Sequence, residues 1–327
     1  MSEKILDIKN LTVHYETDEG VAKAVNDLSF SLNKGKAHGL VGETGSGKTT
    51  TALAILRLVP DPPGVIKSGS IELNGVDILK ISEKEMDKKV RGIQVSMIFQ
   101  DPMTSLNPVM TVGDQIMEVI RTHQKLSRRD AAKKACEMLE MVGIPAERSD
   151  EYPHQFSGGM KQRVIIAIAL ACNPNILIAD EPTTALDVTI QAQILDKMKE
   201  LREKLGMSMI MITHDLGIVA EVCDDVSIIY AGRIVEHGTV REVYKNPSHP
   251  YTVGLFNSLP RINDEREMLE PIPGMMPDPM ELPEGCAFCD RCPYATERCS
   301  REMPAERHID GTHYVSCFAE NIRKEAE

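Results

Sequence analysis

The stretch Gly42-Glu43-Thr44-Gly45-Ser46-Gly47-Lys48-Thr49 restricts this 327-residue chain more than any other. It follows the apolar run Ala37-His38-Gly39-Leu40-Val41 and leads into helical patterning from about Lys48 to Leu58. A strand that ends in a glycine loop and opens a helix offers bare backbone N–H groups to an anion at the helix's positive end. The glycines let that backbone wrap phosphates, Lys48 reaches the outer phosphates, and Thr49 supplies a hydroxyl to Mg²⁺. The competing reading is a glycine turn that fits by chance, and the motifs downstream weigh against it.

Ile176-Leu177-Ile178-Ala179-Asp180-Glu181 reads as a buried strand that delivers two carboxylates at its end. Beside a phosphate loop, Asp180 suits Mg²⁺ or its bound water, and Glu181 suits a general base that polarises an attacking water. An ordinary acidic turn is the plainer alternative. Gln100 ends the apolar strand Met97-Ile98-Phe99, where its amide can bond metal and water. His214 follows the strand Met209-Ile210-Met211-Ile212, where an imidazole can bond a γ-phosphate. Phe156-Ser157-Gly158-Gly159-Met160-Lys161-Gln162 holds a second Ser-Gly-Gly turn at a helix start. One complete cradle already exists, so this second anion site is expected to serve the nucleotide of another subunit.

Alternation from Ile5 to Tyr15 and from Val21 to Leu32, with Asn74-Gly75 as a hairpin turn, predicts an antiparallel sheet in the opening third. Helical spacing runs from Thr111 to Val142, with Ser127 and Asp130 as a capped start. Apolar strands return at Ile176 to Ala179, Met209 to Ile212 and Val226 to Ile229, separated by helical stretches, which points to a mostly parallel sheet. Prolines at 260, 271, 273, 277, 279 and 283 then disfavour any long helix or central strand. A boundary is expected near Leu255 to Pro260, with a solvated tail over Ile322 to Glu327.

A formal net charge of -12 argues against wrapping a nucleic-acid backbone. No apolar run approaches the roughly 18 to 20 residues needed to cross a bilayer, and the start Met1-Ser2-Glu3-Lys4-Ile5 does not read as an export signal. A reducing cytosol is therefore expected, where clustered thiols bind metal more often than they pair. Among the eight cysteines, Cys136, Cys172 and Cys223 read as small core residues. The others crowd together as Cys286, Cys289, Cys292, Cys299 and Cys317. An all-thiolate set suits structural zinc or a [4Fe-4S] cluster, and ligand type alone does not choose between them. Its expected role is structural, as a staple for a short, proline-rich segment with few large apolar side chains.

From Ile5 to about Tyr251 the chain resembles ATP-binding cassette (ABC) ATPases, with their motifs in the family's order. The resemblance implies an α/β P-loop core with an antiparallel β subdomain and a helical subdomain, plus the small cysteine-rich extension. It divides the chain into a nucleotide-binding domain at 1–255, with a helical part at about 101–172, and an extension at 256–327. Gly42 to Thr50 would hold ATP, and Tyr15 would stack on adenine unless it only packs on its strand. Phe30 is assigned to the sheet core instead. Thr49, Gln100 and Asp180 would serve Mg²⁺. Glu181, His214 and Lys48 would be catalytic, Ser157, Gly158, Gly159 and Met160 would act on the partner's nucleotide, and Asp187 lies in the D-loop Ala185-Leu186-Asp187. The family consensus is Leu-Ser-Gly-Gly-Gln, so Phe156 and Met160 depart from it. Met160 removes an amide able to reach the ribose or a neighbouring loop.

Phe99-Gln100-Asp101-Pro102-Met103-Thr104-Ser105-Leu106-Asn107-Pro108, Tyr152-Pro153-His154-Gln155, His249-Pro250-Tyr251-Thr252 and the cysteine tail are similar to the ATPase subunits of dipeptide and oligopeptide importers. That resemblance implies a [4Fe-4S] cluster on Cys286, Cys292, Cys299 and Cys317. The extra Cys289 leaves the ligand set open and zinc a rival. It further implies two membrane permease subunits, with one docked at the region opening at Asp101, and a second, usually different, ATPase chain. An extracellular or periplasmic substrate-binding protein and a place on the cytoplasmic membrane face complete the implied assembly. The alternatives are an importer ATPase for nickel or another small solute, a soluble mechanical ATPase of the same type, and an inactive scaffold.

Overall fold

The computed structural model describes residues 3–101, 104–184, 186–258, 271–320 and 322. Pro102 and Met103 after Gln100, Ala185 of the D-loop segment, Pro260 of the expected boundary, and most of the Ile322 to Glu327 tail lie outside the described residues.

The strands are β1 (Lys4–Thr17), β2 (Gly20–Asn33), β3 (Ala37–Val41), β4 (Gly64–Leu73), β5 (Val76–Asp77), β6 (Val95–Ile98), β7 (Ile176–Asp180), β8 (Ser208–Thr213), β9 (Asp225–Tyr230), β10 (Arg233–Thr239), β11 (Arg307–Asp310) and β12 (His313–Val315). The helices are α1 (Lys48–Ile55), α2 (Glu83–Glu85), α3 (Val112–His123), α4 (Arg128–Met141), α5 (Gly158–Leu170), α6 (Val188–Leu205), α7 (Leu216–Val222), α8 (Val240–Lys245), α9 (Pro250–Asn257) and α10 (Glu297–Arg301). The chain forms two compact units, one of residues 1–5, 32–37 and 78–212, the other of residues 6–31, 38–77 and 213–327.

In the first unit β6, β7 and β8 run parallel, with Ile98 beside Ala179 and Asp180 beside Ile212. Every residue of β7 and β8 is buried, as a parallel sheet covered on both faces requires. The helical stretch expected over Thr111 to Val142 holds two helices, the second starting at the Ser127 cap. Thr111 caps α3 by accepting the Asp114 N–H, Ser127 caps α4 by accepting the Asp130 N–H, and Gln124 between them is extended.

In the second unit β2-β1-β4-β5 form an antiparallel sheet, closed at one edge by the Asn74-Gly75 turn. A second sheet of this unit has the order β11-β12-β10-β9-β3, in which β3 and β9 are parallel. Helix α1 stops at Ile55, short of the expected Leu58, because Arg57 enters the left-handed region at φ 51°.

The extension is built differently from the self-contained stapled segment that its composition suggests. Its strand β12 pairs with β10, Glu236 opposite Val315, so the extension lengthens the sheet that carries β3. Phe288 is buried in the same cluster as Val41, Tyr230 and Tyr251. The extension has few large apolar side chains and sets Phe288, with Ile272, Met276 and Leu282, into the core of the nucleotide-loop unit. No helix among the described residues is long and apolar enough to cross a membrane.

Candidate functional site

β3 delivers its chain directly into the Gly42–Thr49 loop, and two glycines there have no substitute. A Cβ on Gly42 would lie 2.1 Å from the Ile229 carbonyl oxygen, and Gly47 sits at φ 102° with the Ala24 carbonyl 2.3 Å from a Cβ position. Only a bare backbone passes through such a gap. The Lys48 ammonium is buried and donates to the carbonyls of Gly42 at 2.7 Å and Glu43 at 2.8 Å and to Ser46 Oγ at 3.4 Å. It is thus held over the mouth of the loop as a positive group for phosphate. Thr49 and Thr50 follow in the first turn of α1, and the hydroxyls of Thr50 and Tyr15 are 3.3 Å apart. Tyr15 therefore stands beside the loop. Phe30 is buried and stacks on the His38 ring at 5.0 Å, as a core residue does.

In the first unit β6 ends just before Gln100, and β7 ends on buried Asp180. Gln100 Nε2 donates to Glu181 Oε2 at 3.3 Å, and Thr184 Oγ1 donates to the same oxygen at 3.2 Å. Glu181 has φ 46°, held by its N–H donating to the Ile212 carbonyl at 2.9 Å. A left-handed glutamate is strained, and here the next strand fixes it. Asp187 caps α6 by accepting the Ile190 N–H at 3.0 Å. His214 is exposed in the turn after β8, and Asp215 beside it caps α7.

Ser157 is the exposed N-cap of α5 and makes no capping bond with its side chain. A Cβ on Gly159 would meet Ile190 at 2.6 Å, so glycine is what lets α5 lie against α6 here. The two departures from the consensus turn out to share one partner. Arg148 places its guanidinium 4.3 Å from the Phe156 ring centre and donates to the Met160 sulfur at 3.3 Å, while Glu151 holds it from the other side at 2.8 Å. Cation–π attraction and a soft sulfur acceptor replace what leucine and glutamine offer elsewhere.

All eight cysteines are free thiols. Cys136, Cys172 and Cys223 are half-buried. Cys286, Cys289, Cys292, Cys299 and Cys317 line one small cavity of about 20 Å³. Successive tight turns bring the first three together, Cys289 N–H to the Cys286 carbonyl at 2.9 Å and Cys292 N–H to the Cys289 carbonyl at 3.2 Å. Gly285 admits the α10 turn that carries Cys299, since its Cβ position lies 2.2 Å from the Cys299 carbonyl. Burial pushes the Cys286 thiol up to about 12 and the Cys292 thiol up to about 11, and the neighbouring sulfurs add to both. Among the described residues no group of three or more His, Cys, Asp or Glu converges as a single metal ion demands. His249 also lines the cavity, and burial holds it neutral, its pKa lowered to about 3. Its Nδ1 accepts the Tyr251 N–H at 3.1 Å, whereas its buried Nε2 has no partner among the described residues.

Two residues that motif reading passed over touch the phosphate loop. The Glu43 N–H donates to Tyr251 Oη at 2.9 Å, and Arg291 Nη1 lies 3.1 Å from both Glu43 carboxylate oxygens. No local signal marks Arg291, which is 248 residues from its partner. Tyr251 lay within a segment matched to a family, with no role attached.

Comparison with known proteins agrees with this geometry. A family model described as ABC transporter matches residues 25–184, and one described as oligopeptide/dipeptide transporter, C-terminal region, matches residues 235–299. The chain is 51% identical over 318 residues to the oligopeptide transport ATP-binding protein OppD of Bacillus subtilis (strain 168), covering 96% of this chain and 88% of that protein. It is 49% identical over 319 residues to OppD of Escherichia coli (strain K12), covering 97% and 94%. It is 48% identical over 325 residues to the dipeptide transport ATP-binding protein DppD of Bacillus subtilis (strain 168), covering 99% and 97%. Among solved structures, a dimeric post-hydrolysis ATP-binding cassette bound to ADP and Pi is similar with TM-score 0.64 and 27% identity, over 72% of this chain and 99% of that one.

Proposed function

The chain belongs to the ABC transporter ATPases, and from that premise we propose that it is the ATP-hydrolysing subunit of an importer of dipeptides or oligopeptides. The observation that carries the reading is near-half identity, along almost the whole length, to proteins named for peptide import, together with the matched C-terminal region.

ATP with Mg²⁺ is the expected ligand, and the ion would neutralise phosphate charge as it develops. The loop Gly42–Thr50 binds the phosphates through its backbone, Lys48 contributes a fixed positive charge, and Tyr15 packs against the base. Thr49, Gln100 and Asp180 would hold the ion through hard oxygen ligands. Glu181 takes the proton of the attacking water, and Gln100 and Thr184 orient its carboxylate through Oε2. His214 holds the γ-phosphate side of the same reaction. Ser157, Gly158 and Gly159 act on the nucleotide of a facing cassette, with Asp187 shaping that face. A second, related ATPase chain, two membrane permease subunits and a substrate-binding protein complete the assembly. The chain then sits peripherally at the cytoplasmic membrane face, as cassette domain 1–255 and extension 256–327.

The five-thiol cavity fits a metal cofactor in its donor set, and an orphaned, buried Nε2 on a lining histidine fits a sulfur or thiolate acceptor nearby. Tetrahedral zinc needs thiolates converging at about 2.3 Å on one point. In the [4Fe-4S] reading, Cys286, Cys292, Cys299 and Cys317 would be the ligands, with Cys289 beside them. Bound there, such a group would cross-link the extension.

The test is anaerobic co-purification with membrane partners, followed by iron, sulfide and zinc analysis and peptide-stimulated ATP hydrolysis in vesicles. Recovery of a transporter whose ATPase responds to peptides supports the reading. A transporter indifferent to peptides but stimulated by another solute would overturn the substrate class.

A further inference from the structure

Glu43 places a carboxylate within the loop that must bind a polyanion. An uncompensated negative charge there opposes phosphate binding. The structure meets this with a cation from the far end of the chain. Arg291, 8% exposed, lies between Cys289 and Cys292 and sets Nη1 3.1 Å from each Glu43 oxygen. Its Nε donates to the Pro273 carbonyl at 2.8 Å and its Nη1 to Tyr230 Oη at 3.3 Å, so the fork cannot swing away. Tyr251, in contact with Phe288 at 5.5 Å, accepts the Glu43 N–H. Met276 of the same extension lies 3.2 Å from a Cβ position on Gly45. The extension thus grips the first residues of the loop through Arg291 and Met276, and Tyr251 of the cassette adds the hydrogen bond to the Glu43 N–H.

We propose that Arg291 is a positioning residue of the nucleotide site: held in the cysteine-rich extension, it neutralises Glu43 and so sets the charge of the phosphate loop. The inference rests on the ATP-site reading of that loop. It makes the extension part of the ATP site's electrostatics, and any change that displaces Arg291 changes nucleotide affinity.

The experiment is equilibrium binding of ATP, ADP and AMP to the full chain, as wild type, Arg291→Met, Glu43→Gln and the double variant. One unit charge within about a nanometre of the phosphates, at an effective dielectric of about 20, changes affinity on the order of tenfold. Arg291→Met is expected to weaken ATP about tenfold, ADP less and AMP least, and adding Glu43→Gln to it is expected to restore most of the loss. Glu43→Gln alone, which leaves the Arg291 cation in place, is expected to tighten ATP more than AMP. This arm stands even where Arg291→Met does not fold. Equal weakening of all three nucleotides, no rescue in the double variant, or an unchanged ATP-to-AMP ratio in Glu43→Gln would each overturn the inference. Failure of the wild type to bind ATP would instead remove the reading on which it rests.

Discussion

Gln100 and Glu181, 81 residues apart in sequence, meet through one hydrogen bond of 3.3 Å from the Gln100 amide to the Glu181 carboxylate. β6 and β7 are parallel neighbours, so the residues just past their ends fall side by side. The residue that can sense a phosphate is thereby bonded to the residue that can take the water's proton.

Glu181→Gln keeps the shape and the acceptor for Gln100 but loses the base. ATP binding should stay within about twofold of wild type, while turnover should fall by roughly 10²- to 10⁴-fold. Phosphate release at saturating ATP checks this, and undiminished hydrolysis would refute the base assignment.

Arg148 should matter only where two cassettes meet. It shapes the start of α5 through Phe156 and Met160. Arg148→Ala should leave ATP affinity of the isolated chain unchanged and lower hydrolysis in the assembled transporter severalfold. Arg148→Lys should not rescue it, because a compact ammonium lacks the planar fork. A drop in the isolated chain's ATP affinity would contradict this.

The tail thiols should be slow nucleophiles in metal-free protein. With Cys286 at about 12 and Cys292 at about 11, little thiolate exists at pH 8. Alkylation of Cys286 should run about a thousandfold below an ordinary thiol. Folding favours the neutral form, so its stability contribution is complete below about pH 9 and is lost as pH rises through 11 to 12. Mass-resolved alkylation rates and alkaline denaturation report the two effects, and rapid labelling of Cys286 at pH 8 would exclude the burial described.

Glu236 pins the extension to the sheet. Its fully buried carboxylate accepts the N–H groups of Ser248 at 2.7 Å and His249 at 2.8 Å and lies 2.7 Å from His313 Nε2. Glu236→Ala strands those buried donors and should cost about 3–5 kcal/mol, with Glu236→Gln costing less. Denaturant unfolding measures it, and a loss below about 1 kcal/mol for the alanine variant would show that the donors find other partners.

Much of this was legible because the signals are local. The glycine loop after β3, the Asn74-Gly75 turn and the Ser127 cap each lie within a few residues, where backbone sterics decide. The break between α3 and α4 covers residues 124–127, and its far side is the Ser127-Asp130 start, whereas nothing local marks the end of α3 at His123. The shared role of Phe156 and Met160 was illegible, since Arg148 carries no motif and its part is set by how the chain folds back on itself.

The sequence by itself determined which residue types stand at each chain end of a strand, and hence the phosphate loop, the carboxylates after β7 and the five thiols of the tail. Backbone geometry and periodicity impose these within short windows. Tertiary structure alone decided that the tail joins the phosphate-loop unit by pairing β12 with β10, and that Arg291 meets Glu43. The physical reason is that a segment poor in apolar side chains must bury itself against another's core, and the charges carried with it then find partners no local pattern names.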